Sequence, residues 1–420
     1  MNLKSKLLKH KSNSRIVYSA RDGEIHKELQ KINKEIINKY SLKLPNRNAI
    51  IRTIIQFLSQ GEINLKRKEL LFTPLDFKVI KMDIKNFFPS INKHILYKKI
   101  VKSSILSDSS IETIKSFIFS SEYKGIPLGL SFSNSLSELY LEDFDSIVQL
   151  QWNPLLYVRY VDDILIIVND AVDEDEVKNF IKAQLKEYHL EVNNEKTIVR
   201  KSNSNHFKFV YLGYEFSKYQ KRIINSKGKE KPENYLVIDI SEKKFKAKLL
   251  NKLIRYFKRF KNDHDKPESF WILYYRLKNL IHGVSSKGDN NQVVKFGLSY
   301  SYGLINSEVR MRMFLKMYHH FIRYYKKNNY LSSRQVYILL NIVSTGNKVV
   351  TSNSSRDDIL SLLNNRYHYE KLSVKVLEQI CLRIAVSFSS QQYTHEYLEF
   401  NKINLQKKIM KKLSLRFGDD

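Results

Sequence analysis

The chain has 420 residues, 42% hydrophobic and 12% aromatic, with 72 Lys and Arg against 43 Asp and Glu and a formal net charge of +29. With 12 Gly and 7 Pro a disordered or collagen-like chain is excluded, and the single cysteine, Cys381, rules out an intramolecular disulfide and a cysteine-built zinc site. The length predicts two or three domains, and the charge points to a polyanion, most commonly nucleic acid, although a Lys-, Asn- and Ile-rich composition can also reflect the genome. One cysteine fits a reducing, cytoplasmic compartment. No apolar stretch follows the basic start Met1–Lys6, which argues against a signal peptide. The longest apolar run, Ile164–Val168, has strand length, so no membrane association is expected.

In chain order, a helix is predicted around His26–Tyr40, a break at Pro45, and a second helix over 48–60 with Ile50, Ile51, Ile54, Ile55 and Leu58 on one face. A strand starts at Phe77 and ends before a turn at Pro89-Ser90; helices follow at 92–102 and 109–120. The Gly125–Gly129 turn opens one long helix to Gln149. Leu155–Val161 and Ile164–Val168 form a hairpin with two aspartates between them. A helix at 173–188, a strand near Glu191–Val192 and a strand over Val210–Phe216 complete an α+β domain. Beyond about residue 240 the pattern is helical, at 305–328, 333–345, 356–364 and 370–390, with 283–303 as a linker or long loop.

Two acidic sites stand out. Asp83 ends a largely apolar strand just before a turn, and Asp162 and Asp163 occupy the hairpin tip. Adjacent strand residues point to opposite faces, so a tight turn is needed to bring both carboxylates to one site. Three converging carboxylates repel unless a cation holds them, and hard oxygen ligands favour Mg²⁺. Two such ions support in-line phosphoryl displacement, so a basic protein with this arrangement is expected to make or break phosphodiesters. The bland reading is a turn cap at Asp83 and an ordinary hairpin turn at 162–163. The terminal Gly418-Asp419-Asp420 reads as solvated tail, because no strand surrounds it.

Over roughly residues 10–220 the motifs resemble those of reverse transcriptases. Asp83–Phe88 is similar to the strand with the first metal-binding aspartate, Gly125–Ser133 to the template- and nucleotide-positioning turn, and Tyr160-Val161-Asp162-Asp163 to the Tyr-X-Asp-Asp signature. Leu190–Thr197 resembles the following motif with its Asn and Lys, and Tyr211-Leu212-Gly213-Tyr214 the primer-grip hairpin. The resemblance implies a right-hand polymerase fold of fingers, palm and thumb with an all-α C-terminal extension. It implies two Mg²⁺ ions, with Mn²⁺ as the alternative, held by Asp83, the Ile84 backbone, Asp162 and Asp163. Asp83 and Asp162 are the foremost of these ligands. Nucleotide contacts are implied for Arg15, Ile84, Lys85, Asn86, Phe87, Phe88, Pro127, Gly129 and Lys196, and nucleic-acid contacts for Tyr160, Leu212, Gly213 and Tyr214. Phe88 takes the place of a steric gate against a 2′-hydroxyl, with core packing as the competing role and Phe87 as the rival for the buried place. Lys196 either approaches the triphosphate or is a solvated surface charge.

One departure separates the chain from most of that family: Pro127-Leu128-Gly129 replaces Pro-Gln-Gly, and Leu cannot hydrogen-bond near the nascent base pair. With Arg159–Asp163 and the long C-terminal part, this looks most like bacterial defence-associated, abortive-infection reverse transcriptases, some of which use a companion non-coding RNA, prime on protein or work without a template. The expected partners are an RNA template, deoxynucleotides and a DNA product, with homo-oligomerisation open. The alternatives are a retron- or intron-type enzyme of a mobile element, template-independent or protein-primed synthesis, and an inactive RNA-binding scaffold.

Residues 243–261 place Phe245, Leu249, Leu250, Leu253, Ile254, Phe257 and Phe260 on one helical face and Lys244, Lys248, Lys252, Arg255 and Arg259 on another, as a thumb gripping a phosphate backbone requires. The competing reading is a solvated helix face. The aromatics of Tyr318–Lys327 either stack on unpaired bases or pack inside a helical core, and Lys407–Lys412 is an RNA-binding tail or a solvated helix. The expected divisions are 1–78 for the N-terminal fingers, 79–235 for the palm with a fingers insertion at about 96–125, 236–300 for the thumb and linker, and 301–420 for the C-terminal domain.

Overall fold

The computed structural model describes residues 7–12, 15–21, 23–61, 69–224, 230–287, 293–388 and 395–414. The terminal Gly418-Asp419-Asp420 lies outside them. The described residues fall into two compact units, the first covering those up to 61 and 71–212, the second 69–70 and 213–414.

The first unit is built on a four-stranded antiparallel sheet ordered Leu156–Tyr160, Asp163–Asn169, Phe77–Asp83, Ile198–Lys201. Phe77–Asp83 is central and nearly continuously buried, which is why it reads as an apolar run. Its register sets Asp83 directly opposite Asp163 and Met82 opposite Ile164. The helices Gly23–Lys39, Lys93–Ser103, Asp108–Ile118 and Glu174–Glu187 bury apolar stripes in one core with this sheet. A further hairpin, Leu7–Ser12 with Arg15–Ala20, precedes the first helix. The single long helix expected after Gly129 is two, Ser133–Tyr140 and Glu142–Trp152, which meet at Leu141. The expected strand near Val192 is one isolated bridge to Ile84.

The second unit opens with a hairpin of two eleven-residue strands, Tyr214–Ile224 and Glu230–Ile240. A π-helical stretch, Phe245–Leu250, runs into the helix Asn251–Asn262. Phe245, Leu249, Leu253, Phe257 and Phe260 are buried as expected, whereas Ile254 is 41% exposed. The expected linker is instead structured: Gly283–Lys287 pairs antiparallel with Val293–Phe296 and parallel with Arg366–His368. The C-terminal region is therefore mainly helical but not all-α, since Arg366–His368 and the short Ser344–Thr345/Lys348–Val349 hairpin are strands. The reason is local: Val293–Phe296 pairs one edge of the Gly283–Lys287 strand, and Arg366–His368 pairs the other. Among the described residues no helix is long and apolar enough to cross a membrane.

Candidate active site

Asp162 sits in a two-residue turn between paired Tyr160 and Asp163. The turn's first residue, Val161, has φ 59°, a left-handed conformation that a β-branched residue rarely adopts. The backbone locks the turn against the neighbouring strand, since the Ile84 N–H donates to the Asp162 carbonyl at 3.0 Å and the Asn193 N–H to the Asp83 carbonyl at 2.7 Å. Asp83 and Asp162 line one cleft of about 590 Å³, together with Ile84–Pro89, Ile126–Leu128, Asn193 and Lys196. That volume lies in the range of small-molecule sites.

The carboxylates are cationically compensated. Lys196 donates to both oxygens of Asp83, at 3.2 and 2.9 Å, and Lys81 Nζ lies 3.5 Å from Asp163 Oδ1. Asp83 is nearly enclosed, its side chain 11% exposed, while that of Lys196 is 56% exposed. Burial raises the Asp163 carboxyl above its ordinary pKa; Lys81 pulls it down and the charge on Asp83 pushes it up. The Tyr211 hydroxyl donates to the Asp163 carbonyl at 2.8 Å, fixing the strand behind the turn. Like charges set directly opposite in a sheet are destabilising, so the Asp83–Asp163 pairing opposes stability.

The donor set of carboxylate oxygens suits a hard divalent cation, and two lysines stand where such a cation's charge would act. Among the described residues no group of three Asp, Glu, His or Cys side chains is gathered to hold a metal. The expected three-way convergence thus reduces to Asp83 and Asp162 in the cleft, with Asp163 on the adjoining strand beside Lys81.

The other expected residues divide clearly. Phe88 is half-buried and lines the cleft, while Phe87 is 2% exposed and belongs to the core. The N–H of Ile84 is engaged with Asp162, and that of Lys85 donates to the Glu191 carbonyl at 2.8 Å. The resemblance implies that the backbone amides of Ile84–Phe87 lie along the triphosphate, and of these only Asn86 and Phe87 stand at a helix start, where N–H groups lack intrahelical partners. Pro127 is buried and its carbonyl accepts from Ser133 Oγ at 2.5 Å. Gly125 and Gly129 both have positive φ; a Cβ on the first would collide with the Phe88 carbonyl oxygen, and one on the second would come within 2.5 Å of Val17 Cγ1. These close approaches let the turn dock on Phe88 and on the Arg15–Ala20 strand, where the Tyr18 N–H donates to the Leu128 carbonyl at 2.7 Å. Arg15 begins that strand; its side chain lies outside the described residues.

Tyr160 is half-buried beside the turn, and the Leu212 carbonyl accepts two bonds from Arg47, at 3.1 and 2.8 Å. Gly213 is buried. Tyr214 is fully buried, and its hydroxyl donates to the Ser301 carbonyl at 3.0 Å, so the expected nucleic-acid contact is corrected to a core role. Of the cationic stripe Lys244 and Lys248 are exposed, and Lys252, Arg255 and Arg259 half-buried. Tyr318 and Tyr325 are buried and Tyr324 is exposed, so the aromatic run at 318–327 is mostly core. The sequence reading missed Lys9, Ser121, Glu122, Tyr123 and Lys124 on the cleft wall, whereas Ile16 and Tyr18 lie beside the expected Arg15 and Asn193 lies within the Leu190–Thr197 motif. No residue pattern marks those five, because they come together only by tertiary packing.

A central antiparallel sheet with one aspartate at a strand end and another in the adjoining hairpin turn defines the palm of a right-hand polymerase. Residues 9–216 match the family described as reverse transcriptase (RNA-dependent DNA polymerase). Residues 9–216, about half of the chain, are thus a reverse transcriptase domain. No curated protein matches the chain. Among solved structures it is similar to apo telomerase from Candida tropicalis truncated from its C-terminal domain (18% identity, 46% of this chain and 43% of that one, TM-score 0.33). It is also similar to telomerases in complex with a TWJ fragment of telomeric RNA, from Candida albicans (13% identity, 93% and 53%, TM-score 0.38) and Candida tropicalis (14% identity, 95% and 65%, TM-score 0.39). The chain spans 43%, 53% and 65% of these three telomerase chains.

Proposed function

We propose that the protein copies RNA into DNA by adding deoxynucleotides to a 3′-hydroxyl at the Asp83–Asp162 cleft. The observation that carries this reading is the meeting of those two carboxylates in one cleft walled by Phe88 and by Ile126–Leu128. Asp83 and Asp162, with the Ile84 backbone carbonyl, are the groups to hold two Mg²⁺ ions. When bound, magnesium supplies Lewis acidity to the attacking hydroxyl and the leaving pyrophosphate. Phe88 excludes a 2′-hydroxyl from the sugar's place. Lys196, released from Asp83, neutralises the triphosphate, and the exposed Lys244 and Lys248 of the second unit bind nucleic-acid phosphates.

The biological role we assign is antiphage defence in the bacterial cytoplasm, with a companion non-coding RNA as template. This rests on Leu128 in the turn and on the long C-terminal part. Leu128 also favours a second form of the same chemistry, loosely templated or protein-primed synthesis, because it lines the cleft and offers no side-chain hydrogen bond. The test is to incubate purified protein and its copurifying RNA with Mg²⁺ and each labelled nucleotide, then to sequence RNA and product. Deoxynucleotide incorporation complementary to the RNA is expected; product unrelated to it supports the second form. No incorporation with any template or primer refutes the polymerase reading.

A further inference from the structure

The catalytic turn is held from behind by a cation that the strand pattern gives no reason to bury. Arg159 lies in the Leu156–Tyr160 strand with its side chain 4% exposed. Its Nε and one terminal nitrogen donate to Asp145 at 2.8 and 2.7 Å, and its two terminal nitrogens to Glu138 at 3.2 and 2.6 Å. The nitrogen facing Glu138 Oε1 also donates to the Val161 carbonyl at 3.0 Å. These bonds engage all five N–H donors of a guanidinium. Burial works against the charge on Arg159, but Asp145 and Glu138 outweigh it and keep the guanidinium firmly protonated.

Such a buried ionic cluster is a poor stabiliser, since apolar residues of equal volume often do as well or better. Its geometry accounts for it differently. Val161 is strained at φ 59°, and a strained residue of this kind persists only where its surroundings over-determine it. The Val161 carbonyl belongs to the peptide that leads into Asp162, so fixing that oxygen fixes the direction in which Asp162 leaves the chain. On its other side Glu138 belongs to the Ser133–Tyr140 helix, whose first residue holds the Pro127 carbonyl. Asp145 is in turn held by the Tyr157 hydroxyl at 2.6 Å. Two walls of the cleft, Pro127–Leu128 and Asp162, are thereby tied through one side chain.

We propose that Arg159, gripped by Glu138 and Asp145, is a positioning residue that aims Asp162 at the cation site and keeps it in register with the Pro127–Gly129 turn. This deepens the polymerase reading and rests on it for its kinetic part. Lysine at 159 presents one nitrogen and cannot span both carboxylates and the Val161 carbonyl; Glu138→Gln weakens the grip and leaves Asp145 and the Val161 bond in place. The full-length wild type, Arg159→Lys and Glu138→Gln are compared by thermal melting, by Mn²⁺ binding read as loss of the free-ion EPR signal, and by steady-state incorporation against Mg²⁺ and nucleotide.

Arg159→Lys is expected to weaken Mn²⁺ binding, to raise the Mg²⁺ needed for half-maximal rate, and to lower kcat roughly tenfold to a hundredfold, with nucleotide KM little changed. Glu138→Gln moves the same quantities less. A role in stability alone would shift the melt and leave metal dependence and the kcat-against-KM split untouched, and that result in folded variants overturns the proposal. Should Arg159→Lys not fold, Glu138→Gln decides: unchanged Mn²⁺ affinity overturns the inference and weakened affinity supports it. A wild type that binds Mn²⁺ but incorporates nothing refutes the polymerase reading, while the Mn²⁺ comparison still judges Arg159.

Discussion

Truncating Phe88 to alanine separates its role in the cleft from its role in packing. The ring is half-buried, lines the cleft and lies 5.5 Å from the Phe87 ring, which sits in the core. Removing a fully buried Phe costs about 3–5 kcal/mol; half-burial brings this to about 2 kcal/mol, so the variant should fold with a lowered melting temperature. Forcing a hydroxyl against a packed ring costs about 1–3 kcal/mol, a factor of roughly 5 to 150. Phe88→Ala is therefore expected to lower the ratio of kcat/KM for deoxynucleotide over ribonucleotide by that factor, with deoxynucleotide incorporation itself retained. The assay is single-nucleotide extension with matched nucleotide pairs, alongside a melt. Unchanged discrimination in a folded Phe88→Ala protein, or a wild type that prefers ribonucleotides, would refute the gate and return Phe88 to core packing.

Other outcomes follow from the charges of the second unit. Burial pushes the Asp239 carboxyl up to about 6, above its unfolded value, so the native state binds the proton more readily. The contribution of Asp239 to native stability is then greatest below about pH 4 and is lost as pH rises through about 6, by about 3 kcal/mol. Denaturant unfolding of Asp239→Asn should lack this decline; a wild type without it refutes the assignment. Replacing Lys244 and Lys248 together by alanine should weaken RNA binding and flatten the plot of log affinity against log salt by about 0.7–0.9 for each phosphate no longer neutralised. An unchanged slope would return both lysines to an ordinary solvated face.

The acidic hairpin was readable because apolar strands flank Asp162 and Asp163, whereas the register that sets Asp83 against Asp163 pairs strands far apart in the sequence and is visible only in the fold. The resemblance set Phe88 at the gate with Phe87 as the rival for the buried place; the structure has Phe87 in the core and Phe88 half-buried on the cleft wall. Other elements hid behind polar side chains that find partners only in the fold. The Gly283–Lys287 strand resembled a linker because Ser285 and Ser286 are small and polar, yet both are buried, the first bonded to His368 and Glu370 and the second to Gln406. Glu230–Ile240 was missed because its first half is exposed and charged. The break at Leu141 carries no Gly or Pro, so nothing in the residues marked it. Tyr214 sat within a recognised motif, and only its burial shows that the motif's aromatic ring points inward. Family resemblance alone singled out Arg159, although a charge within an apolar strand was a signal in its own right.

The claim on which the rest depends is that Asp83 and Asp162 act together on an incoming nucleotide. The most direct measurement is Mg²⁺-dependent extension of a labelled primer by wild type, Asp83→Asn, Asp162→Asn and Asp163→Asn proteins of matched folding. Wild type is expected to extend, the first two variants to fall by about a thousandfold or more, the scale of losing a charge-stabilising group, and Asp163→Asn to keep a measurable rate. Equal activity in Asp83→Asn or Asp162→Asn, or none in the wild type, would contradict the account.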